Sequence, residues 1–529
     1  DLLHLEAAQK LGISEARLDL IHDPTLYEDT ISDLLFANRS VARLVSAKAL
    51  GETAYQLTPV CDGCFFNEFC LRQTYVTDDL SLLPFVGLDT KQALQRSGVA
   101  TTAQLAALMA PAKTNLSGEE RTILAPVAQH EEVCRELGGD RAIGGRLQEL
   151  VSRARRYRRS VSDEISERNE IAGAGYGSLP FSAEDHDPNL VRVYIDVQRD
   201  HLVDRLYLAS ALVQANEKGA AIDARRRSIV RMTDEPPATD EIERTLLLDF
   251  LSDLLTAVIE VAAPHEDGEL KAPIHIIFYD RSGLQAMLQA LGRHAETVLG
   301  STALYDFMTQ LPAFDSPLIS LLSDEIRALK NYPILAPSIF AVARFLGFDW
   351  DGDRELTSVF RSQIFDDIRP FATEEDEEPK HWFTGRARFS SDIPLEYAYN
   401  TWGRLPAPDP DAEAPKQSFL LASRDDLIGF AERRLAALEA ITADFKGNNR
   451  SYKTPFDLSE IALFDPGEAT IAIAIDQFIV TERHVAITGW KSDRQAMPEQ
   501  RMLDGASLVV RYLESDQLSG IAAGNREHG

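Results

Sequence analysis

The sequence predicts an α/β and α multidomain chain, and three observations carry that expectation. Apolar residues fill 44% of 529 positions, enough for several cores at the usual domain size of about 100–200 residues. Alternating β-branched runs, such as Val191 to Val197 and Pro273 to Asp280, are interleaved with long amphipathic stretches. Polar, acidic or proline-rich segments at 161–189, 373–378 and 405–411 separate these blocks. No run approaches the ~18 apolar residues of a membrane span, and four cysteines, three of them clustered, fit a reducing compartment. The expectation is therefore a cytoplasmic chain with no membrane partner. The formal charge is 54 − 83 = −29, which excludes a general polyanion binder. Any nucleic-acid contact must come from local basic strips, and the acidity itself reads as solubility.

The first block, 1–77, ends in CDGCFFNEFC, where Cys61, Cys64 and Cys70 stand within ten positions, flanked by Phe65, Phe66 and Phe69. Thiols this close cannot all pair as disulfides, and C-x2-C lets two sulfurs face one metal. A three-cysteine zinc knuckle or unligated buried thiols fit the same spacing. With Leu57-Thr58-Pro59 before it and Leu71-Arg72 after it, the trio resembles the one that closes the RecB-like exonuclease domain of CRISPR-associated and helicase-fused families. That resemblance implies a [4Fe–4S] cluster with a fourth, upstream cysteine, and no cysteine precedes Cys61. Cys134 is the alternative fourth ligand, and an isolated cysteine on an amphipathic helix is more often a core residue. The family's Q-x-x-x-Y helix finds only Gln9, followed by Ile13 in place of Tyr. The block reads as the tail of a nuclease domain in a piece of a longer protein, the more so as the chain opens without Met.

The second block, 78–160, opens on Asp78 to Gly87 and continues as KQALQRSGVATTAQLAAL. Two short helices are expected, joined at Ser97-Gly98-Val99, with Thr101-Thr102 capping the second. The pattern looks like a helix-hairpin-helix module, in which hairpin amides hold a phosphate; a compact helical spacer has the same glycines. From Glu119 to about Ser160 the pattern stays helical and ends in Arg146, Arg153, Arg155, Arg156, Arg158 and Arg159. Such a strip can neutralise several phosphates, or pair with the protein's own acids. Gly98 and Arg153, Arg155, Arg156, Arg158 and Arg159 are the candidate nucleic-acid residues.

The third block, 185–360, predicts strand, strand, helix, strand, helix: 191–197, 206–213, 239–263, 273–280 and 282–292. Acids close its first and third strands, at Asp196 and Asp280. The block resembles a degenerate RNase H-like fold of the DEDD exonuclease type, which implies Mg²⁺ or Mn²⁺ held by D-x-E on the first strand. Here that motif reads Asp196-Val197-Gln198, and an amide cannot bridge a hard dication as a carboxylate does. Asp196 and Asp280 are the candidate catalytic residues, with Asp200, Asp204 and Glu296 the nearby acids. Segment 319–350 reads as helical and holds SIFAVARFLGFDW, similar to the family's late helix.

The last block, 415–529, reads as a mainly helical adaptor. Ser423 N-caps a helix whose apolar face is Leu427, Phe430, Leu435, Leu438, Ile441 and Phe445, ending at Gly447. More helix is expected at about 466–483, and SLVVRYLESDQLSG leaves the module as helix or strand. The order of blocks resembles the region preceding the motor in RecB-like nuclease/superfamily 1 helicase fusions. It implies a DNA-repair or phage-defence protein whose partners are single-stranded or forked DNA and the helicase region of the same parent chain. The alternatives are a non-catalytic interaction scaffold with structural zinc, or an autonomous DEDD-type exonuclease. No G-x-x-x-x-G-K-[ST] loop occurs, so the segment cannot hydrolyse ATP by that route.

Overall fold

The computed structural model describes residues 55–64, 66–116, 119–158, 168–171, 189–217, 220–262, 274–299, 319–365, 389–405, 420–445, 473–480, 485–492 and 526–528, with isolated positions at 32, 36, 43 and 179. The chain divides into two compact units, Asp1–Gln56 and Leu57–Gly529. Gln9 and most of the expected nuclease tail, the linker at 405–411 beyond Leu405, and SLVVRYLESDQLSG lie outside the described residues.

Within the second unit, a 3₁₀ turn at Pro59–Gly63 leads to helix α1, Asn67–Val76. Helices α2, Leu88–Arg96, and α3, Thr102–Ala107, form the expected helical hairpin. Gly98 makes the turn at φ +80°, a conformation that costs glycine nothing, and the Val99 amide donates to the Leu94 carbonyl at 2.9 Å. Thr101 caps α3 through a capping box with Gln104.

The stretch after α3 departs from the helical expectation. Strands β1, Met109–Leu116, and β2, Glu119–Pro126, pair antiparallel over their whole length. Ser117-Gly118 supplies the turn composition, while Glu119-Glu120 mimics the acidic first turn of a helix. Helix resumes as α4, Glu131–Gly139, and α5, Leu147–Tyr157.

Strands β3, Asn189–Asp200, β4, Arg205–Glu217, and β5, Ala220–Met232, form an antiparallel meander. Helix α6, Asp240–Ala262, follows, then β6, Ile274–Phe278, helix α7, Arg281–Arg293, and the short strand β7, Ile319–Leu321. β6 and β7 run parallel to β3, giving the mixed sheet order β5-β4-β3-β6-β7. The sequence did not announce β5, whose Arg225-Arg226-Arg227 run hides its alternation, and 319–350 begins as a strand before turning helical.

Alternation in β3 sorts its side chains. Val191, Val193, Ile195 and Val197 enter one core with Leu246, Leu247, Phe250 and Leu254 of α6 and Leu284 and Met287 of α7. Arg192, Tyr194, Asp196 and Gln198 take the intervening positions, and they are buried too. Their cover comes from α8, Leu322–Leu329, α9, Ile339–Phe345, α10, Leu395–Thr401, and above all α11, Arg424–Asp444.

Ser423 caps α11 in a box with Asp426, and the six apolar residues expected on one face are all buried. α11 packs on β3, β4 and β5. It therefore completes the sheet domain, and the boundary expected at 415 does not separate it. Beyond it, the helix expected at 466–483 is instead strand β8, Ile473–Val480, paired with β9, Val485–Ser492, which also pairs with β10, Arg526–His528. Isoleucine and valine at alternate positions favour that outcome. Among the described residues no helix is long and apolar enough to cross a membrane.

Candidate functional site

The most densely coupled polar group in the sheet domain surrounds Asp196. This residue lies on the central strand β3, 6% exposed, opposite Ser210 of β4. Arg434, midway along α11 and 1% exposed, grips it in a two-point ion pair: Nη2 to Oδ1 at 2.6 Å and Nε to Oδ2 at 2.8 Å. Its Nη1 donates to the Ser391 carbonyl at 2.5 Å, and its guanidinium lies 5.3 Å from the Phe340 ring centroid. A planar fork matched to a planar carboxylate makes this the strong form of a charge-assisted bond.

Gln198 completes the arrangement. Its amide nitrogen donates to both Asp196 oxygens, at 3.4 and 3.2 Å, while its carbonyl accepts the Ile393 amide at 2.7 Å. All of its bonds are directed inward, so the neutral residue at the expected metal-ligand position acts as a clasp between β3 and the segment before α10. Asp200, at the end of β3, accepts the Tyr399 hydroxyl at 2.8 Å and the Leu202 amide at 2.9 Å. Tyr207 of β4 is fully buried, its hydroxyl has no hydrogen-bond partner, and its ring meets Trp402 edge-on at 5.5 Å. Burial, then the charge of Asp392, pushes its phenol far above the usual range.

Asp280 stands where expected, past the end of β6, the parallel neighbour of β3. It caps α7, accepting the Gly283 amide at 3.1 Å. Burial pushes its carboxyl up to about 6; the Gly283 bond opposes this, Asp392 and Asp196 add to it, and Arg434 opposes it. Asp196 and Asp280 thus share one end of the sheet, with a guanidinium rather than open space beside them. Asp204 pairs with Arg199 at 2.8 Å, away from this group, and no set of three His, Cys, Asp or Glu side chains among the described residues is disposed to hold a metal ion.

The arginine strip faces inward, contrary to the expectation of a solvent-facing row. Arg153 is 2% exposed and donates to the Lys330 and Arg327 carbonyls at 3.1 and 2.6 Å and to Glu149 at 3.0 Å. Arg155 donates to the Ala106 and Met109 carbonyls, at 3.1 and 2.9 Å. Arg156 reaches Asn169 at 2.9 Å, Arg158 pairs with Asp78 at 3.0 Å, and Arg146 pairs with Glu149 at 3.2 Å. Arg159 lies outside the described residues. The physical reason is that free carbonyls at helix ends and loops recruit the nearest multi-donor side chains, and α5 is where the helical module meets the sheet domain. Gly98 likewise serves the helix end, its neighbour's amide being committed to Leu94.

Cys61 and Cys64 occupy the 3₁₀ turn and its exit, and Cys70 lies in α1. The Thr58 amide approaches the Cys61 sulfur and the Phe66 amide the Cys64 sulfur, each at 3.4 Å. Burial, then the charges of Cys61 and Cys64, raises the Cys70 thiol, which shows that the three feel one another. Cys134 is elsewhere, buried in α4 with its thiol toward the Leu108 carbonyl at 3.7 Å. As placed, the four cysteines do not fit a four-ligand cluster, and no step below runs through one.

Arg434 was missed at the level of sequence, although a signal exists. It falls four residues after Phe430 and seven after Leu427, within the apolar stripe of its helix. A charged residue in such a stripe requires a buried partner. Comparison with known protein families, curated proteins and solved structures finds no match for this chain.

Proposed function

We propose that this chain is a non-catalytic scaffold segment, built on an RNase H-like sheet of the DEDD exonuclease type whose acidic centre is closed by an internal cation. The observation that carries the reading is the two-point bond between Arg434 and Asp196. A guanidinium occupies the carboxylate face that a hydrolytic dication would need, and Gln198 supplies an amide where a second carboxylate is required. Burial of both partners makes exchange for a hydrated metal unfavourable, since the arginine would be left without its counter-charge. The test is incubation of the purified chain with Mg²⁺ or Mn²⁺ and an end-labelled single-stranded or forked DNA. No cleavage is expected; hydrolysis that Asp196→Ala abolishes would overturn the reading.

The parent context we propose is a DNA-processing protein of the RecB-like nuclease/helicase type. Its support is the cysteine trio, with two backbone amides directed at its sulfurs. A brown preparation with iron and labile sulfide would favour the [4Fe–4S] form of that reading, and a colourless zinc-containing one the knuckle. Metal-free protein of unchanged stability would remove the trio from the argument.

A further inference from the structure

The long edge of the sheet offers a second feature, at the opposite side from the cysteine corner in sequence and independent of Asp196. β5 is a 13-residue strand at the sheet's edge, with β4 its one strand neighbour among the described residues. The other edge, β7, is only three residues long. Short edges protect themselves, whereas long ones require charges or cover. Along β5 a groove of about 370 Å³ opens between the strand and α6, lined by Arg227, Ile229, Arg231, Asp253, Ala257 and Glu260. A strand edge beside a helix is the geometry by which extended peptides add to a sheet.

Charge selects the occupant. β5 carries Arg225, Arg226, Arg227 and Arg231 against a single Asp223, a local excess of positive charge in a chain of net −29. Arg227 uses Nε on Glu260 at 3.0 Å and Nη1 on the Arg226 carbonyl at 2.9 Å. Arg231 uses Nε and Nη2 on Asp253. Each guanidinium keeps a further amino group at a side chain about half exposed, 51% for Arg227 and 49% for Arg231. A guanidinium has five N–H donors, so each can serve a second carboxylate without releasing the first.

We infer that this edge binds an acidic extended peptide as a sixth strand. Its carboxylates would lie across from Arg227 and Arg231, with an apolar residue between them across from Ile229. Directly opposed unlike charges and apolar pairs are the stabilising units of such a ladder. A second copy of β5 is disfavoured, because a strand with three consecutive arginines brings like charges together in antiparallel registers centred on that run. A nucleic-acid strand is disfavoured because Asp253 and Glu260 share the groove and none of its lining residues is aromatic, so bases have no stacking platform. This inference deepens the scaffold reading and rests on it, but a binding assay is blind to metal-dependent cleavage, so the two fail separately.

The experiment is fluorescence anisotropy of the intact chain with labelled peptides that alternate threonine with glutamate, valine and glutamate. The controls are the lysine counterpart and oligothymidylate of similar length. The acidic peptide is expected to bind at least tenfold more tightly than either control, weakening as salt rises. Joint replacement Arg227→Glu and Arg231→Glu should reduce that affinity about tenfold or more and create preference for the lysine peptide. This swap distinguishes a lost site from a misfolded protein. Equal binding of both peptides, preference for the oligonucleotide, an unaffected double variant, or dimerisation abolished by the double variant would each overturn the inference.

Discussion

Asp196 and Asp280 lie on neighbouring parallel strands at one end of the same sheet, yet they meet opposite surroundings. Asp196 has a guanidinium on both oxygens and an amide behind it. Asp280 has one backbone amide, no basic side chain in hydrogen-bond contact, and a carboxyl pushed up to about 6. The strands that carry them are alike, being apolar, buried and in parallel register. What differs is the layer above: α11 delivers Arg434 over β3, while the exit of β6 turns at once into α7. A carboxylate's role in this fold is thus decided by the covering helix, and the same end of the sheet holds one acid locked in an ion pair and one near its titration point.

The largest expected effect comes from breaking the locked side. Arg434→Met leaves Asp196 buried without its partner and removes the bond to the Ser391 carbonyl, which should cost about 3–5 kcal/mol. Urea denaturation at neutral pH measures it. Combining Arg434→Met with Asp196→Leu should recover part of that loss, because an apolar pair carries no desolvation penalty. A double variant as unstable as the single one would show that packing of the arginine stem, not its charge, is what α11 contributes.

Gln198→Glu sharpens the contrast by giving β3 the second acid it lacks. The carboxylate can still accept the Ile393 amide, but a donor to Asp196 becomes a like charge at about the same 3.2 Å. A loss of about 2 kcal/mol at pH 7 is expected, shrinking as the pH falls and the added group takes a proton. Mn²⁺ should not restore it while Arg434 remains. Stabilisation of Gln198→Glu by Mn²⁺ in a thermal shift assay would mean that the arginine yields to a metal.

How legible this was in the sequence depends on the range over which each bond is made. Asp196 and Asp280 could be placed because an acid inside or at the close of a β-branched run is conspicuous within a few residues. Gly98, Thr101 and Ser423 were legible for the same reason: turns and caps are local. Arg434 was not, since its partner is 238 residues away and only the packing of α11 on β3 brings them together. The direction of the α5 arginines was hidden too. Arg153 bonds carbonyls 177 and 174 residues distant, and a backbone carbonyl leaves no mark in the sequence. β5 and β1–β2 were obscured by charge: arginines and glutamates at exposed strand positions imitate helix surfaces until the partner strand is known.

The smallest effect belongs to Asp280 and has the opposite sign. An aspartate titrates near 3.9 in an unfolded chain and here near 6, so between those values the native state holds a proton that the unfolded state has released. Folding stability therefore declines as pH rises through that window and stays lower above it. Asp280→Asn removes the charge but keeps an acceptor for the Gly283 amide, and Asn caps helices as well as Asp does. The variant should be more stable than wild type by about 1–2 kcal/mol at pH 7, a figure reduced from the full shift because Asp280 retains some solvent contact. Near pH 4 the advantage should vanish, since both proteins are then neutral at this position. Denaturation midpoints taken at intervals from pH 4 to pH 7.5 would follow the divergence. Parallel curves would place the Asp280 carboxyl in its ordinary range and make the two acids alike after all.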